Sequence, residues 1–129
     1  MAAQGSILGN AVTRKEDPGL LTGSNDYISD LDIDAAQVIF VRSTTAHASL
    51  LEVDTSEATS MPGVLAVYTA DNLEIAAVNQ SEFMDPSMNR PPLAVGRVRF
   101  VGDIVAAVVA ETHSQAVDAA EQVVVDYDP

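Results

Sequence analysis

The run IVAAVVA, Ile104 to Ala110, restricts the fold more than any other feature because it contains no polar side chain. A half-buried strand alternates apolar and polar residues, whereas a strand covered on both faces is apolar throughout. The turn pair Gly102-Asp103 comes before the run, and helix-capping residues at 112–114 follow it. Aromatic residues make up only 5% of the chain, so aliphatic side chains must build the core. We therefore expect Ile104–Ala110 to be an interior strand buried on both faces.

Other strands and helices are predicted by similar patterns. Further strands are expected at Gln37–Arg42, Ala48–Val53, Val64–Thr69, Arg97–Val101 and the closing VVVDY. One helix should begin at an N-cap Asp54, with Glu57 three residues on, and run to about Ser60 before Pro62-Gly63. A second should begin at Thr112 or Ser114 and run to about Val123. The predicted fold is α+β, a mixed sheet of about six strands with two main helices.

Two segments lack periodicity. Residues 1–35 are rich in Gly, Asp, Ser and Asn and predict irregular chain with turns. Residues 78–92, VNQSEFMDPSMNRPP, contain three prolines and predict an exposed loop. A chain of 129 residues has the length of one domain, so we expect a single domain over residues 1–129.

Charge and cysteine content exclude several classes of function. The chain has 19 acidic and 6 basic side chains, a formal charge of −13, which disfavours nucleic-acid and anionic membrane partners. With no cysteine, it cannot form disulfides, a zinc–thiolate site or a Cys-ligated iron–sulfur cluster. No apolar run reaches the length of a membrane span, and the first residues lack the pattern of a secretory signal. The expectation is a cytoplasmic protein.

The stretch VRSTTAHASL combines hydroxyl side chains with a histidine. A hydrolase using Ser43 or Thr45 as nucleophile would need His47 within hydrogen-bond reach and a third group to orient it. No Gly-x-Ser-x-Gly elbow is present to expose a hydroxyl, and a motif without its structural context is a weak signal. We favour a structural role for this stretch and no catalytic residue in the chain.

A calcium site is suggested and then excluded by the acidic segment SDLDIDA. Asp30, Asp32 and Asp34 occupy positions one, three and five of an EF-hand-like loop. Position six is Ala35 where glycine is needed, and position twelve is Val41 where glutamate is needed. His113 has no ligand partner at a metal-binding spacing. The sequence therefore predicts no metal site.

Three arginines are concentrated in ten positions. Arg90, Arg97 and Arg99 are half of the six basic residues of the chain. Two interpretations stay open: the arginines neutralise the chain's own carboxylates, or they contact an acidic partner. Phe83 and Met84 lie in the neighbouring predicted loop and add apolar side chains there. Together these five residues are our candidate contact surface.

Motifs in a fixed order resemble one known family. Asn10 to Asp32 contains Arg-Lys-Glu-Asp, Leu-Leu-Thr-Gly, Tyr and Asp; a second block contains Arg-Ser, Ala-His-Ala and Pro-Gly-Val; a third contains Val-Gly and Val-Asp-Tyr. The chain resembles the N-terminal hammerhead domain of the molybdenum-binding large subunit of xanthine dehydrogenase, aldehyde oxidase and aerobic carbon monoxide dehydrogenase. The resemblance covers about Leu8 to Pro129. Thr44 departs from it, since the family usually has proline after Arg-Ser.

The resemblance implies a structural role and no catalytic, cofactor or metal residue in this chain. The parent enzyme would use molybdopterin-bound molybdenum, with FAD and 2Fe-2S clusters on other domains or subunits. The partners implied are the molybdopterin-binding domains and the FAD and iron–sulfur subunits, with a homodimer possible for the isolated chain. The alternative is a stand-alone acidic binding module that reuses the fold. A domain that normally packs in a large enzyme should expose an apolar patch, whereas a stand-alone module should be well covered.

Overall fold

The computed structural model describes residues 13–31, 33–75, 85 and 88–129. The chain divides into two compact units, Met1–Asp34 and Ala35–Pro129. Phe83, Met84 and Asp32, which the sequence analysis singled out, lie outside the described residues. No helix within the described ranges is both long enough and apolar enough to cross a membrane.

The first unit contains a short helix where the sequence predicted only irregular chain. Helix α1 spans Asp17–Thr22, has a proline in its first turn and ends at Gly23, whose φ of 67° is left-handed. A 3-10 turn follows at Ile28–Asp30, and the Asp30 carboxylate accepts a hydrogen bond from the Tyr27 N–H at 3.0 Å. Prediction missed α1 because it is too short to show a helical period.

The second unit contains six strands and two helices in its described part. The strands are β1 (Gln37–Arg42), β2 (Ala48–Asp54), β3 (Val64–Thr69), β4 (Arg97–Val98), β5 (Ile104–Ala110) and β6 (Val124–Asp128). Helix α2 spans Ser56–Ser60 and helix α3 spans His113–Ala120. The predicted α+β class is confirmed.

The strands form two antiparallel three-stranded sheets, which corrects the predicted single mixed sheet. The first sheet has the order β1-β5-β3 and the second the order β4-β2-β6. The residues between β4 and β5 carry the chain from one sheet to the other. For that reason β4 pairs only at Arg97–Val98, and the predicted strand Arg97–Val101 was too long.

Strand β5 is the middle strand of the first sheet and is buried on both faces, as its sequence predicts. Ala106 and Val108 belong to a cluster that includes Ala58 of α2 and Ala119 of α3. Val105, on the opposite face of β5, is 1% exposed and packs in a second cluster with residues such as Val98. The central strand therefore joins the helices on one side to the second sheet on the other.

The two helices begin with different capping arrangements. Thr112 caps α3 and forms a capping box with Gln115, in agreement with one of the two predicted starts. Thr55, not Asp54, is the N-cap of α2. The Asp54 carboxylate instead accepts a hydrogen bond from the Ser56 N–H at 2.9 Å, which holds the turn between β2 and α2.

Candidate functional site

The loop after β1 is hydrogen-bonded within itself and to the connection between β4 and β5. The Ser43 side chain is buried at 2% exposure; its hydroxyl donates to the Thr45 carbonyl at 2.8 Å and accepts from the Thr45 N–H at 3.0 Å. The Ser43 N–H donates to the Asp103 carbonyl, and the Gly102 N–H donates to the Ser43 carbonyl, both at 2.8 Å. His47 is exposed. The Ser43 hydroxyl thus donates its proton within its own turn, to the Thr45 carbonyl.

The side chain of Asp103 forms polar contacts that hold the neighbouring connection between β4 and β5. Its carboxylate is 7% exposed and accepts from the Arg99 N–H at 3.1 Å and from the Arg90 guanidinium at 3.3 Å. Gly102, immediately before it, has a φ of 91°, a conformation that glycine adopts without strain. A buried carboxylate requires such partners because its desolvation is otherwise costly. Asp103 therefore fixes the position of Arg90.

The Arg90 guanidinium also lies over the Phe100 ring, 4.4 Å from its centroid. A cation in this position is attracted by the face of the ring. Arg90, Phe100 and Asp103 line a cavity of about 270 Å³, together with Met88 and Arg99. The cavity combines positive charge with apolar surface, which suits an acidic or mixed polar and apolar segment of a protein partner.

The three arginines of the predicted contact surface differ in whether they form an ion pair. Arg90 forms the only ion pair found among the described residues. Arg99 and Arg97 are exposed, and within the described residues the Arg99 guanidinium donates to the Arg97 carbonyl, at 3.4 Å. Arg90 thus has the contact that internal neutralisation predicts, while the charges of Arg97 and Arg99 have no carboxylate partner in the described part of the chain.

Metal-ligating side chains are not clustered in the described part of the chain. No group of three or more His, Cys, Asp or Glu side chains that could hold a metal occurs within residues 13–31, 33–75, 85 and 88–129. The chain contains no cysteine for an iron–sulfur cluster. The arginine-lined cavity, about 270 Å³, offers guanidinium groups and one already hydrogen-bonded carboxylate, and guanidinium groups are not metal ligands.

Sequence reasoning missed Asp103 and Phe100 as parts of this site. The sequence pattern identifies Asp103 only as half of a Gly-Asp turn. One signal was available: an acidic residue directly before a wholly apolar strand, four residues after one of the clustered arginines. A carboxylate so close to a buried strand loses hydration, and a cationic partner offsets that cost.

Comparison with known proteins identifies the family. Residues 22–129 match the family model described as "Aldehyde oxidase and xanthine dehydrogenase, a/b hammerhead domain". The nicotine 6-hydroxylase large subunit of Paenarthrobacter nicotinovorans is 40% identical over 124 residues, which cover 92% of this chain and 15% of that protein.

Two crystal structures show the same fold in longer proteins. Quinoline 2-oxidoreductase from Pseudomonas putida 86 has a TM-score of 0.76 at 38% identity, covering 95% of this chain and 16% of its own. A Cu,Mo-containing CO dehydrogenase has a TM-score of 0.74 at 34% identity, and the match covers 94% of this chain and 15% of that chain. This chain thus spans only about 15% of the length of these relatives. The predicted resemblance is confirmed: the chain belongs to the family of a/b hammerhead domains of aldehyde oxidase and xanthine dehydrogenase.

Proposed function

We propose that this chain acts as the hammerhead domain of a molybdenum hydroxylase, an oxidoreductase of the xanthine dehydrogenase, aldehyde oxidase or carbon monoxide dehydrogenase type. Its role is structural: it packs against the molybdopterin-binding domains and helps to join them to FAD and iron–sulfur partners. When bound in the complete enzyme, the molybdenum centre would supply the redox chemistry. This chain supplies packing surfaces.

One observation carries the proposal: the family match extends over residues 22–129. The named relatives are several times longer than this chain.

Exposed apolar side chains favour this role over a stand-alone acidic binding module. Val38 and Phe40 of β1 and Tyr68 of β3 are exposed at 47%, 46% and 37%. A stand-alone module should cover such strand residues, because exposed apolar clusters promote association. The arginine surface formed by Arg90, Arg97 and Arg99 remains our proposal for one contact, together with Phe83 and Met84 of the preceding segment.

The proposal is tested by recovering the tagged chain from its source cells, measuring molybdenum in the eluate and identifying the proteins that accompany it. We expect a large cofactor-binding polypeptide and molybdenum in constant proportion. A metal-free chain recovered as a monomer would reject the proposal and favour the binding module. Expression of the tag alone controls for nonspecific recovery.

A further inference from the structure

One face of the first sheet carries an ordered set of apolar side chains, here called the neutral face: Val38, Phe40, Ala66, Tyr68, Ala107 and Val109. Cross-strand register defines it, because residues directly opposite each other in a ladder point to the same side. Val38 pairs with Val109, Phe40 with Ala107, and Ala107 with Tyr68 on its other side. The face therefore extends across all three strands of the sheet. Val105, on the same side of β5, is covered by the second sheet and is not part of the neutral face.

The neutral face is uneven in height. Phe40 and Tyr68 flank Ala107, which has only a methyl side chain, so two aromatic rings stand on either side of a shallow floor. On the other face of the same sheet, Ala106 and Val108 are fully buried beneath the helices. A floor between aromatic walls can receive an aliphatic side chain, and aromatic residues are enriched at the centres of protein interfaces.

Acidic residues are absent from the strands of this sheet, although the chain is strongly acidic. β1, β3 and β5 contain no Asp or Glu, whereas β2 and β6 contain Glu52, Asp54, Asp126 and Asp128. The nearest charge on β1 is Arg42, whose guanidinium lies 5.6 Å from the centroid of the Phe40 ring. Depletion of charge around exposed aromatic side chains is the composition of an interface core.

We propose that the neutral face is a docking surface for aliphatic side chains of the cofactor-binding part of the large subunit. This inference rests on the proposed function. The occupant follows from two observations: the chain spans about 15% of its relatives' length, and its formal charge of −13 opposes close approach of a second copy. Apolar burial at this face would supply affinity, while charged groups elsewhere adjust orientation.

The test exploits the absence of cysteine, which makes any introduced thiol the only one in this chain. Val38→Cys places it on the neutral face, and Val124→Cys places the control on β6, where Val124 is 63% exposed. Each tagged variant is recovered from source cells and treated with a maleimide, and the mass of this chain is measured. In the isolated chain both thiols should react. In the assembly the neutral-face thiol should be protected and the control thiol should react.

A second pair of variants measures the contribution of the face to binding. Phe40→Ser should weaken capture of the large polypeptide about tenfold, because it removes a central aromatic side chain. Leu51→Ser, at a position 63% exposed on the second sheet, should leave capture unchanged. Thermal unfolding of both variants establishes that they remain folded. Equal capture by Phe40→Ser and the wild type would overturn the inference.

The outcomes separate this inference from the proposed function. Reaction of both thiols in an assembly that contains molybdenum would overturn the docking surface and leave the proposed function standing. Recovery without any molybdenum-containing polypeptide would count against the proposed function. Two results with the chain recovered free of molybdenum would overturn the assignment of the occupant. One is a monomer whose neutral-face thiol reacts. The other is a dimer, detected by sedimentation, whose neutral-face thiol is protected.

Discussion

At the scale of single residues, Asp103 has the largest number of polar contacts around the arginine surface. Its carboxylate binds the Arg99 N–H and the Arg90 guanidinium, and its backbone carbonyl binds the Ser43 N–H. The carboxylate is buried, whereas the Arg90 side chain is 51% exposed. Loss of the acid leaves the part-buried Arg99 N–H without its acceptor, but loss of Arg90 leaves a carboxylate that still has a backbone partner.

We predict unequal effects of removing the two partners. Asp103→Ala should lower the free energy of unfolding by about 1–3 kcal/mol because the part-buried Arg99 N–H loses a charged acceptor. Arg90→Ala should cost less than about 1 kcal/mol because the arginine is half exposed and its ion pair is screened by water. Urea denaturation measures both, with Asp103→Asn as the matched variant that keeps one acceptor. An Arg90→Ala cost equal to that of Asp103→Ala would contradict this interpretation.

Asp54 makes stability depend on pH. The hydrogen bonds from Ser56, chiefly that of its side chain and then that of its backbone N–H, hold the pKa of the Asp54 carboxyl below its ordinary value of 3.8. A lowered folded-state pKa means that this carboxylate stabilises the fold above the unfolded-state pKa and loses that contribution as pH falls through the folded-state value. Asp54→Asn should therefore be less stable than the wild type at pH 7, and the difference should shrink at pH 3. Denaturation midpoints at the two pH values, and an NMR titration of Asp54, check this; a constant difference would reject it.

At the scale of elements, the cap of α3 matters because this helix covers the first sheet with Ala116 and Ala119, both fully buried. Thr112 accepts a hydrogen bond from the Gln115 N–H, and its own N–H donates to the Gln115 side chain at 3.1 Å. Thr112→Ala should lower the free energy of unfolding by about 1 kcal/mol. Thr112→Ser keeps a capping hydroxyl and should therefore retain most of the stabilisation that the cap provides. His113→Ala, at an exposed position in the first turn, is the control. Equal effects of the alanine variants in urea denaturation would argue against the cap.

How far the elements can be predicted depends on how local their signals are. The bounds of β1, β3 and β5 follow residue for residue from runs of β-branched and apolar side chains, and the Thr112 cap follows from a four-residue pattern. The division into two sheets could not be predicted in this way, because it depends on which distant strands pair. Asp103 was missed for the same reason: its burial arises from the packing of Ser43 and Arg90 around it, and these residues are far apart in the sequence.

At the scale of the whole molecule, charge is distributed unevenly between the two sheets. The strand carboxylates lie on β2 and β6, while β4, at the other edge of that sheet, carries Arg97. Arg99 follows β4 and is exposed as well. An acidic domain that keeps two exposed arginines beside each other, without carboxylate partners in the described residues, presents a local positive surface within a negative field. Such a surface steers and orients an acidic partner.

We therefore predict that reversing Arg97 and Arg99 to Glu together weakens assembly with the cofactor-binding polypeptide about tenfold, since each exposed interface charge contributes about 1 kcal/mol or less. The effect should be larger at low ionic strength, because salt screens exposed charges. Arg14→Glu with Lys15→Glu changes the net charge by the same amount in the other unit and is the matched control. Capture of the partner is measured at two salt concentrations for both variants. If the two double variants assemble equally well, the arginines lie outside the interface; if only Arg97 and Arg99 matter, and only at low salt, their role is the orientation of an acidic partner surface.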